Sequence, residues 1–359
     1  MFTREEKEMR ILIVGDYPPP HGGISTHVLS VADRIKRLGG EVEVLDIGVN
    51  RRVCRHGCVP VKGYVDYIRK VLRYLKRGYL IHIQTNGHNT KSWVLVLVSS
   101  LLAKFSCSPC ITTLHSGITP SFLEHTSYVH RFVIRLSLKM NGKMICVSDS
   151  IREAIERLEK RPDRLCVIPA FVGDIEREIA FCGRAAKFME EHSPVISTVA
   201  HFSAEYGIPL IINAVQQLKM ELPRVGLLLI GEGDEKNEIE TYVNERSLQN
   251  NFLALKSLNH GKCLYSIRHS DLFVRPSLVD GDSIAVREAV YLGTPVVASD
   301  AVPRPAQVVL FKSGDAEDLK EKISMVLEKG REAGKCMPMD GRDNFVKILS
   351  AYEEVTQQK

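Results

Sequence analysis

Pro276 to Asp300 reads Pro-Ser-Leu-Val-Asp-Gly-Asp-Ser-Ile-Ala-Val-Arg-Glu-Ala-Val-Tyr-Leu-Gly-Thr-Pro-Val-Val-Ala-Ser-Asp. Just before it, Leu272-Phe273-Val274 is an apolar run of the kind that makes a buried strand. Asp280-Gly281-Asp282-Ser283 is a polar turn. Ile284, Val286 and Ala289 then fall at helical spacing, with Gly293 as the stop, and Pro295 to Ala298 restarts a strand. Strand, loop, helix and strand make one α/β unit, whose loop lies at the carboxyl end of a strand, where such folds bind ligands. Ser283 is placed to cap the helix and leave the following amides free for an anion. Asp280 lies in the loop and Glu288 about a turn into the helix. A phosphate on backbone amides with carboxylates on flanking hydroxyls describes a sugar nucleotide. An ordinary capped helix after an acidic turn fits the same residues, and the segment alone leaves both open.

Working outward, the same alternation recurs along the chain. Ile11 to Val14 is a short apolar run ending in Gly15-Asp16-Tyr17-Pro18-Pro19-Pro20-His21-Gly22-Gly23. Val28, Leu29, Ala32, Ile35 and Leu38 give the next helix, Gly39-Gly40 its stop, and Glu41 to Leu45 a second strand. Gly22-Gly23 at a helix start permits close approach to a phosphate, and equally suits a plain flexible turn. Leu80 to Gln84 and Pro109 to Leu114 are further strands, the latter delivering His115 into a loop. Trp93 to Phe105 is expected to be a helix buried nearly all round. The helix from about Tyr128 to Leu138 is expected to seat Val129, Phe132, Val133 and Leu136 on the core, with Arg131 and Arg135 opposite. Met144 to Ser148 and Leu165 to Pro169 close the first series. A second opens with Val195 to Val199, and its Val225 to Ile230 strand ends in Gly231-Glu232-Gly233-Asp234, a weak phosphate-turn signal by itself.

Composition bounds the answer. The 359 residues, 44% apolar and 25% charged, suit two soluble globular domains. A formal charge of +5 does not point to nucleic acid. Nine cysteines without a secretory leader read as reduced thiols of a cytosolic protein. Cys54 and Cys58 with Cys107 and Cys110 lie too far apart for a convincing zinc site, so no metal is assigned. The longest apolar run, Trp93 to Ala103, is too short to span a bilayer. Tyr64 to Arg77 is an amphipathic helix with Tyr64, Ile68, Leu72 and Leu75 on one face. Arg69, Lys70, Arg73, Lys76 and Arg77 on the remainder make either a solvated face or an attraction to an anionic membrane.

Around Asp280, Glu288-Ala289 and Gly293-Thr294-Pro295-Val296-Val297-Ala298, the chain resembles the retaining nucleotide-sugar glycosyltransferases of family 4, the group 1 enzymes. Their signature has a Glu where Asp280 stands. The Pro-rich loop with Gly22-Gly23 and the His after an apolar strand, His115, match the same family. The resemblance implies an α/β protein of GT-B architecture, two doubly wound Rossmann-like domains facing a cleft. The expected divisions are 1–173 on the acceptor side, 174–335 on the donor side and 336–359 as a helix returning to the first domain. It further implies Asp280 at the donor sugar, Glu288 on the ribose, and the diphosphate on amides near Asp282, Ser283 and Ile284. Gly231 and Gly233 would lie beside the nucleotide, and His115 near the sugar. The reaction implied is sugar transfer with retention from a UDP- or GDP-type donor to a glycan or lipid-linked hydroxyl, in cell-surface glycan or glycolipid synthesis. The only co-substrate is the nucleotide sugar. Such an enzyme would be cytoplasmic, or peripheral at the inner face of the membrane.

One departure stands out. The family's diphosphate-binding Arg and Lys are His201 and Tyr206 here. Charge-assisted hydrogen bonds are about twice as strong as neutral ones, so their loss leaves a catalytically weakened or inactive relative, a sugar-nucleotide or partner-binding protein, as the alternative. His201 when protonated, Lys262, Arg268 and Arg304 are the candidate replacements. An NAD-dependent enzyme is the other rival, disfavoured because Val14 is not followed by the dinucleotide fingerprint.

Overall fold

The computed structural model describes residues 9–158, 161–170, 172, 173, 175–256, 258–333 and 342–357. Phe171, Asp174 and the expected division at 335–336 lie outside them. The chain forms two units, one of residues 1–173 with 341–359 and the other of residues 174–340.

In unit 1 the strands are β1 (Arg10–Gly15), β2 (Glu41–Asp46), β3 (Leu80–Thr85), β4 (Cys110–Leu114), β5 (Lys143–Cys146) and β6 (Leu165–Val167). Their helices are α1 (Gly23–Arg37), α2 (Tyr64–Lys76), α3 (Thr90–Phe105), α4 (Thr119–His125), α5 (Tyr128–Met140) and α6 (Asp149–Glu156). The sheet is parallel in the order β2-β1-β3-β4-β5-β6, so the strand order reverses beside β1. Period-two alternation sends successive β1 side chains to opposite layers. Ile11 and Ile13 pack with α1, while Leu12 and Val14 pack with α2 and α3.

In unit 2, β7 (Val195–Val199), β8 (Gly226–Ile230), β9 (Phe252–Leu255), β10 (Leu272–Arg275), β11 (Val296–Ser299) and β12 (Val309–Phe311) form a second parallel sheet. Its order is β12-β11-β10-β7-β8-β9, with the reversal between β10 and β7. The helices are α7 (Gly183–Glu191), α8 (Ile208–Glu221), α9 (Lys236–Glu245), α10 (His260–His269), α11 (Ile284–Tyr291) and α12 (Ala316–Ala333). Parallel connections carry every strand-to-helix loop to one end of a sheet, and the reversal opens a crevice among them. The loops after β7, β8 and β10 are therefore neighbours by topology.

α13 (Arg342–Gln357) belongs to unit 1. Phe345, Ile348, Tyr352 and Val355 join the α1 side of its core. Tyr352 Oη meets His82 Nδ1 at 2.7 Å, and His82 Nε2 meets Thr113 Oγ1 at 2.8 Å. Burial, with the nearby His27, pushes the His82 pKa down to about 3, so a neutral imidazole joins the helix to the sheet.

Three helices differ from the sequence expectation. α2 buries Tyr67, Val71, Tyr74 and Leu75, while Tyr64 and Ile68 are exposed. The rotation brings Tyr67 Oη to Ser99 Oγ of α3 at 2.5 Å. α5 buries Ile134, Ser137 and Leu138, and turns Val129 and Phe132 to solvent. Ser137 Oγ lies 2.8 Å from Val133 O of its own helix and 3.1 Å from Trp93 O, between Ile134 and Leu138 of the core. α3 is not buried all round either, because Lys91, Val94, Lys104 and Phe105 are exposed.

Tyr352→Phe should leave His82 Nδ1 buried without its partner. The expected cost is about 1–3 kcal/mol, read as a lower urea midpoint at unchanged slope.

Candidate active site

The loop after β10 is organised by one carboxylate. Asp280 Oδ2 accepts from Arg275 Nε at 3.1 Å, Arg304 Nη1 at 3.0 Å and Ser277 Oγ at 3.1 Å, while Oδ1 accepts from Arg275 Nη2 at 3.3 Å. Burial by itself would raise the Asp280 pKa, but Arg275 and Arg304 outweigh it and hold it at about 2. Arg275 also donates to Val199 O at 2.8 Å, and Arg304 to Ser299 O at 3.2 Å. The two guanidiniums thereby tie the loop to the ends of β7 and β11.

Arg275 lies with its guanidinium carbon 4.7 Å from the centre of the Tyr206 ring. A cation thus sits against the residue that stands where the family has its Lys. His201 is exposed, its Nδ1 3.3 Å from Ser203 Oγ. Of the other cations considered, Arg304 reaches this loop, whereas Lys262 and Arg268 lie exposed on α10. Two guanidiniums on one carboxylate leave a surplus positive charge, and Asp282 is matched separately by Arg287 at 2.8 Å. Ser283 caps α11 by accepting from Val286 N at 3.4 Å. The first-turn amides of Ile284 and Ala285 precede any intrahelical partner, and the helix dipole adds positive potential there.

Glu288 lies inside α11, almost fully buried. Its Oε1 accepts from His260 Nε2 at 2.7 Å, and His260 Nδ1 donates to Glu178 Oε2 at 2.7 Å. Burial would lower the His260 pKa, but Glu288 and Glu178 outweigh it and push it up to about 10. An imidazolium clamped between two carboxylates holds Glu288 in place with half its charge answered and its second oxygen outside the clamp.

Gly231 and Gly233 have a packing reason to be glycine. A Cβ at Gly231, where φ is +144°, would lie 1.8 Å from Ala200 O, and one at Gly233 2.5 Å from Phe202 N. They let the loop after β8 press against the loop after β7, where Phe202 N donates to Glu232 O at 3.0 Å. Gly22 and Gly23 are different. A Cβ at Gly23 would meet nothing within 4 Å, and one at Gly22 only Ser25 Oγ at 4.0 Å. No close protein neighbour demands those glycines, and they open the 15-residue helix α1.

Near them in unit 1, Gln84 Oε1 accepts from His27 Nδ1 at 2.7 Å and from His115 Nε2 at 2.9 Å. An amide oxygen can only accept, so both imidazoles donate to it, which leaves His115 Nδ1 with its lone pair. Burial, His27 and His82 lower the His115 pKa well below its ordinary value. His115 is a neutral imidazole with a fixed tautomer. Among the described residues, no cluster of three or more His, Cys, Asp or Glu is arranged to hold a metal.

Residues 21–174 match the family model for Glycosyltransferase Family 4, and residues 184–338 that for Glycosyl transferases group 1. The chain belongs to the group 1 glycosyltransferases. The glycosyltransferase is 22% identical to the gpi3 subunit of phosphatidylinositol N-acetylglucosaminyltransferase from Schizosaccharomyces pombe, over 95% of this chain and 75% of that one. It is 24% identical to N,N'-diacetylbacillosaminyl-diphospho-undecaprenol alpha-1,3-N-acetylgalactosaminyltransferase of Campylobacter jejuni, over 82% of this chain and 78% of that one. Among solved structures it resembles Anabaena HepE in complex with UDP-glucose, with a TM-score of 0.71 at 18% identity, covering 97% and 98% of the two chains. Sucrose-phosphate synthase from Thermosynechococcus elongatus gives a TM-score of 0.70 at 18% identity, covering 97% and 98%. The fold of the glycosyltransferase is that of these GT-B proteins.

Sequence reasoning missed Arg275, His260, Glu178, His27 and Gln84. Arg275 had one signal, a lone cation ending an apolar strand five residues before Asp280. His260 and Glu178 had none, because they come from separate segments that only the fold brings to Glu288.

The His260 clamp makes a pH prediction. Its folded pKa of about 10 exceeds the unfolded value of about 6.5, so its contribution is complete below about pH 6.5 and lost as pH rises through about 10. Urea midpoints of the wild type should fall between neutral pH and about pH 10, and His260→Asn should flatten that fall.

Proposed function

We propose that this glycosyltransferase moves a sugar from a UDP- or GDP-type donor to a hydroxyl acceptor with retention at the anomeric carbon. The acceptor class is a glycan or a lipid-linked sugar, in cell-surface glycan or glycolipid synthesis. The observation that carries the reading is the Arg275–Asp280–Arg304 cluster beside the free amides of α11. Its surplus positive charge answers the loss of the family's Arg and Lys at His201 and Tyr206. Both guanidiniums are almost fully buried, so they act on a diphosphate through their field more than by contact, and a field reaches further in a site poor in water.

Glu288 is assigned the ribose hydroxyls through the oxygen that His260 leaves free. His115 is assigned the sugar, as a neutral imidazole whose Nδ1 accepts a hydroxyl proton donor. Retention then follows the family route, in which the donor phosphate helps take the acceptor proton on the same face. The protein contributes orientation and stabilisation of the leaving diphosphate, and no metal is needed. HepE was crystallised with UDP-glucose and the Campylobacter relative is named for a diphospho-undecaprenol acceptor, and both support these classes.

The test is a thermal-shift screen of UDP, GDP, ADP and TDP followed by turnover with the matching nucleotide sugars. A ligand at 100 times its Kd stabilises by about 2.7 kcal/mol, so one nucleoside diphosphate should raise Tm and its sugar should be consumed. A shift without consumption favours the second reading, a binder with weakened or absent catalysis, which an exposed His201 in place of the family's Arg supports. No shift with any nucleotide defeats both and leaves only the partner-binding relative.

Glu288→Gln and His115→Ala should separate affinity from rate. The first removes charge-assisted ribose contacts worth about 1.5–3 kcal/mol and should weaken nucleoside diphosphate binding at least about tenfold. The second should lower kcat with donor affinity mostly retained. Unchanged donor affinity in Glu288→Gln, or wild-type turnover in His115→Ala, returns that residue to a structural role.

A further inference from the structure

The first unit carries a small polar cluster behind His115. Gln84, near the end of β3, and His27, one turn into α1, are 1% and 2% exposed, whereas His115 in the loop after β4 is partly open to solvent. The backbone of that loop is held by the strand beside it, since His115 N donates to Thr85 O at 3.0 Å and Ser116 N to Asn86 O at 3.2 Å. The ring is held separately. Gln84 Oε1 takes both imidazole donors, and the rings of His27 and His115 meet edge to face with centres 5.0 Å apart. Gly15 makes room for this packing, because a Cβ there would lie 3.3 Å from Gln84 Cβ.

Packing alone does not call for an amide at this place. Gln84 Nε2 is buried and has no partner among the described residues, and a buried N–H left unmatched is destabilising. A glutamate of the same length would accept the same two bonds with no N–H left over, and it would draw a proton onto the imidazoles. The second unit shows that outcome, because His260 between Glu288 and Glu178 has its pKa pushed up to about 10. No carboxylate is among the groups that act on His115. Burial, His27 of α1 and His82 of β3 all push its pKa down. His82 is itself neutral, on Tyr352 of α13 and Thr113 of β4. The amide supplies what a carboxylate would not, an acceptor without charge.

We propose that Gln84 is a positioning residue for His115, fixing the imidazole proton on Nε2 and keeping the ring uncharged so that the Nδ1 lone pair stays available to a substrate hydroxyl. His27 fills the other lone pair of the same oxygen. Neither Gln84 nor His27 has the exposure to touch a substrate, and both act through His115. The use of Nδ1 in the reaction rests on the assignment of His115 to the sugar, whereas the state of the ring does not.

The full chain, labelled with isotopic nitrogen in histidine only, reports the protonation of each ring nitrogen by NMR, and His115→Asn identifies the signals of His115. The wild type should show His115 bare at Nδ1 and protonated at Nε2 throughout the neutral range. In Gln84→Glu both nitrogens should carry protons at neutral pH. Its kcat, measured with the nucleotide sugar that the wild type consumes, should gain an acid limb absent from the wild type. That limb should fall about tenfold per pH unit below the raised pKa, with donor affinity retained. Gln84→Met, close in volume and uncharged, removes the acceptor and should leave His115 as a mixture of both tautomers. A residue that only filled space would move Tm in these variants, and neither the spectrum nor the shape of the profile. The role of Gln84 is overturned if the wild-type proton sits on Nδ1, which is the amide reversed. It is overturned equally if Gln84→Glu leaves the ring neutral or Gln84→Met keeps a single tautomer. An imidazolium in Gln84→Glu with an unaltered kcat profile upholds the role of Gln84 and defeats the assignment of His115 to the sugar, so the two failures are told apart.

Discussion

Asp280 is shared between Arg275 and Arg304, and the second unit's candidate site depends on that sharing. Without the carboxylate, two guanidiniums would be buried side by side, which is costly unless something anionic replaces it. With the carboxylate, the loop after β10 is fixed to β7 through Val199 O and to β11 through Ser299 O. A single ion cluster therefore sets where α11 begins and where its unpaired amides lie. The same cluster explains how a chain with His201 and Tyr206 at the family's usual cationic positions keeps positive charge at the loop. The cations come from the end of β10 and from the loop after β11.

Glu288 follows a similar logic with opposite sign. A lone buried carboxylate on α11 would be strongly disfavoured. His260 answers that charge from α10, and Glu178 in turn holds His260. Two carboxylates on one imidazolium leave a net negative charge close to the positive loop. On the proposed function, a donor with phosphates at one end and hydroxyls at the other would meet matching polarity at both.

Much of the fold was legible in the chain because parallel strands buried on both faces read as unbroken apolar runs, and glycines punctuate the helices between them. Ile11 to Val14, Val195 to Val199 and Leu272 to Val274 all fall in the strands observed. The helix faces were less legible. In α5 the apolar residues are spread round the axis, so hydrophobic periodicity does not single out the side on which Ile134 and Leu138 are buried. The site divides in the same way. Asp280, Ser283 and Glu288 lie in one segment and could be read together. Gln84 joins His27 to His115, and Glu178 joins His260, across long stretches of chain, and pairings of that kind leave no mark in local spacing.

The position of α13 has a consequence for how the protein is made. Residues 342–357 emerge from the ribosome after the whole of the second unit, yet they supply the side chains that cover the α1 face of the first sheet and the hydroxyl that satisfies His82. During synthesis the second unit has all its strands in hand before the first is complete. The amino-terminal half must then wait, with an apolar layer that α1 covers only in part, for the carboxyl-terminal turns to arrive. A chain stalled or clipped ahead of residue 342 would show its damage in the half that was translated first.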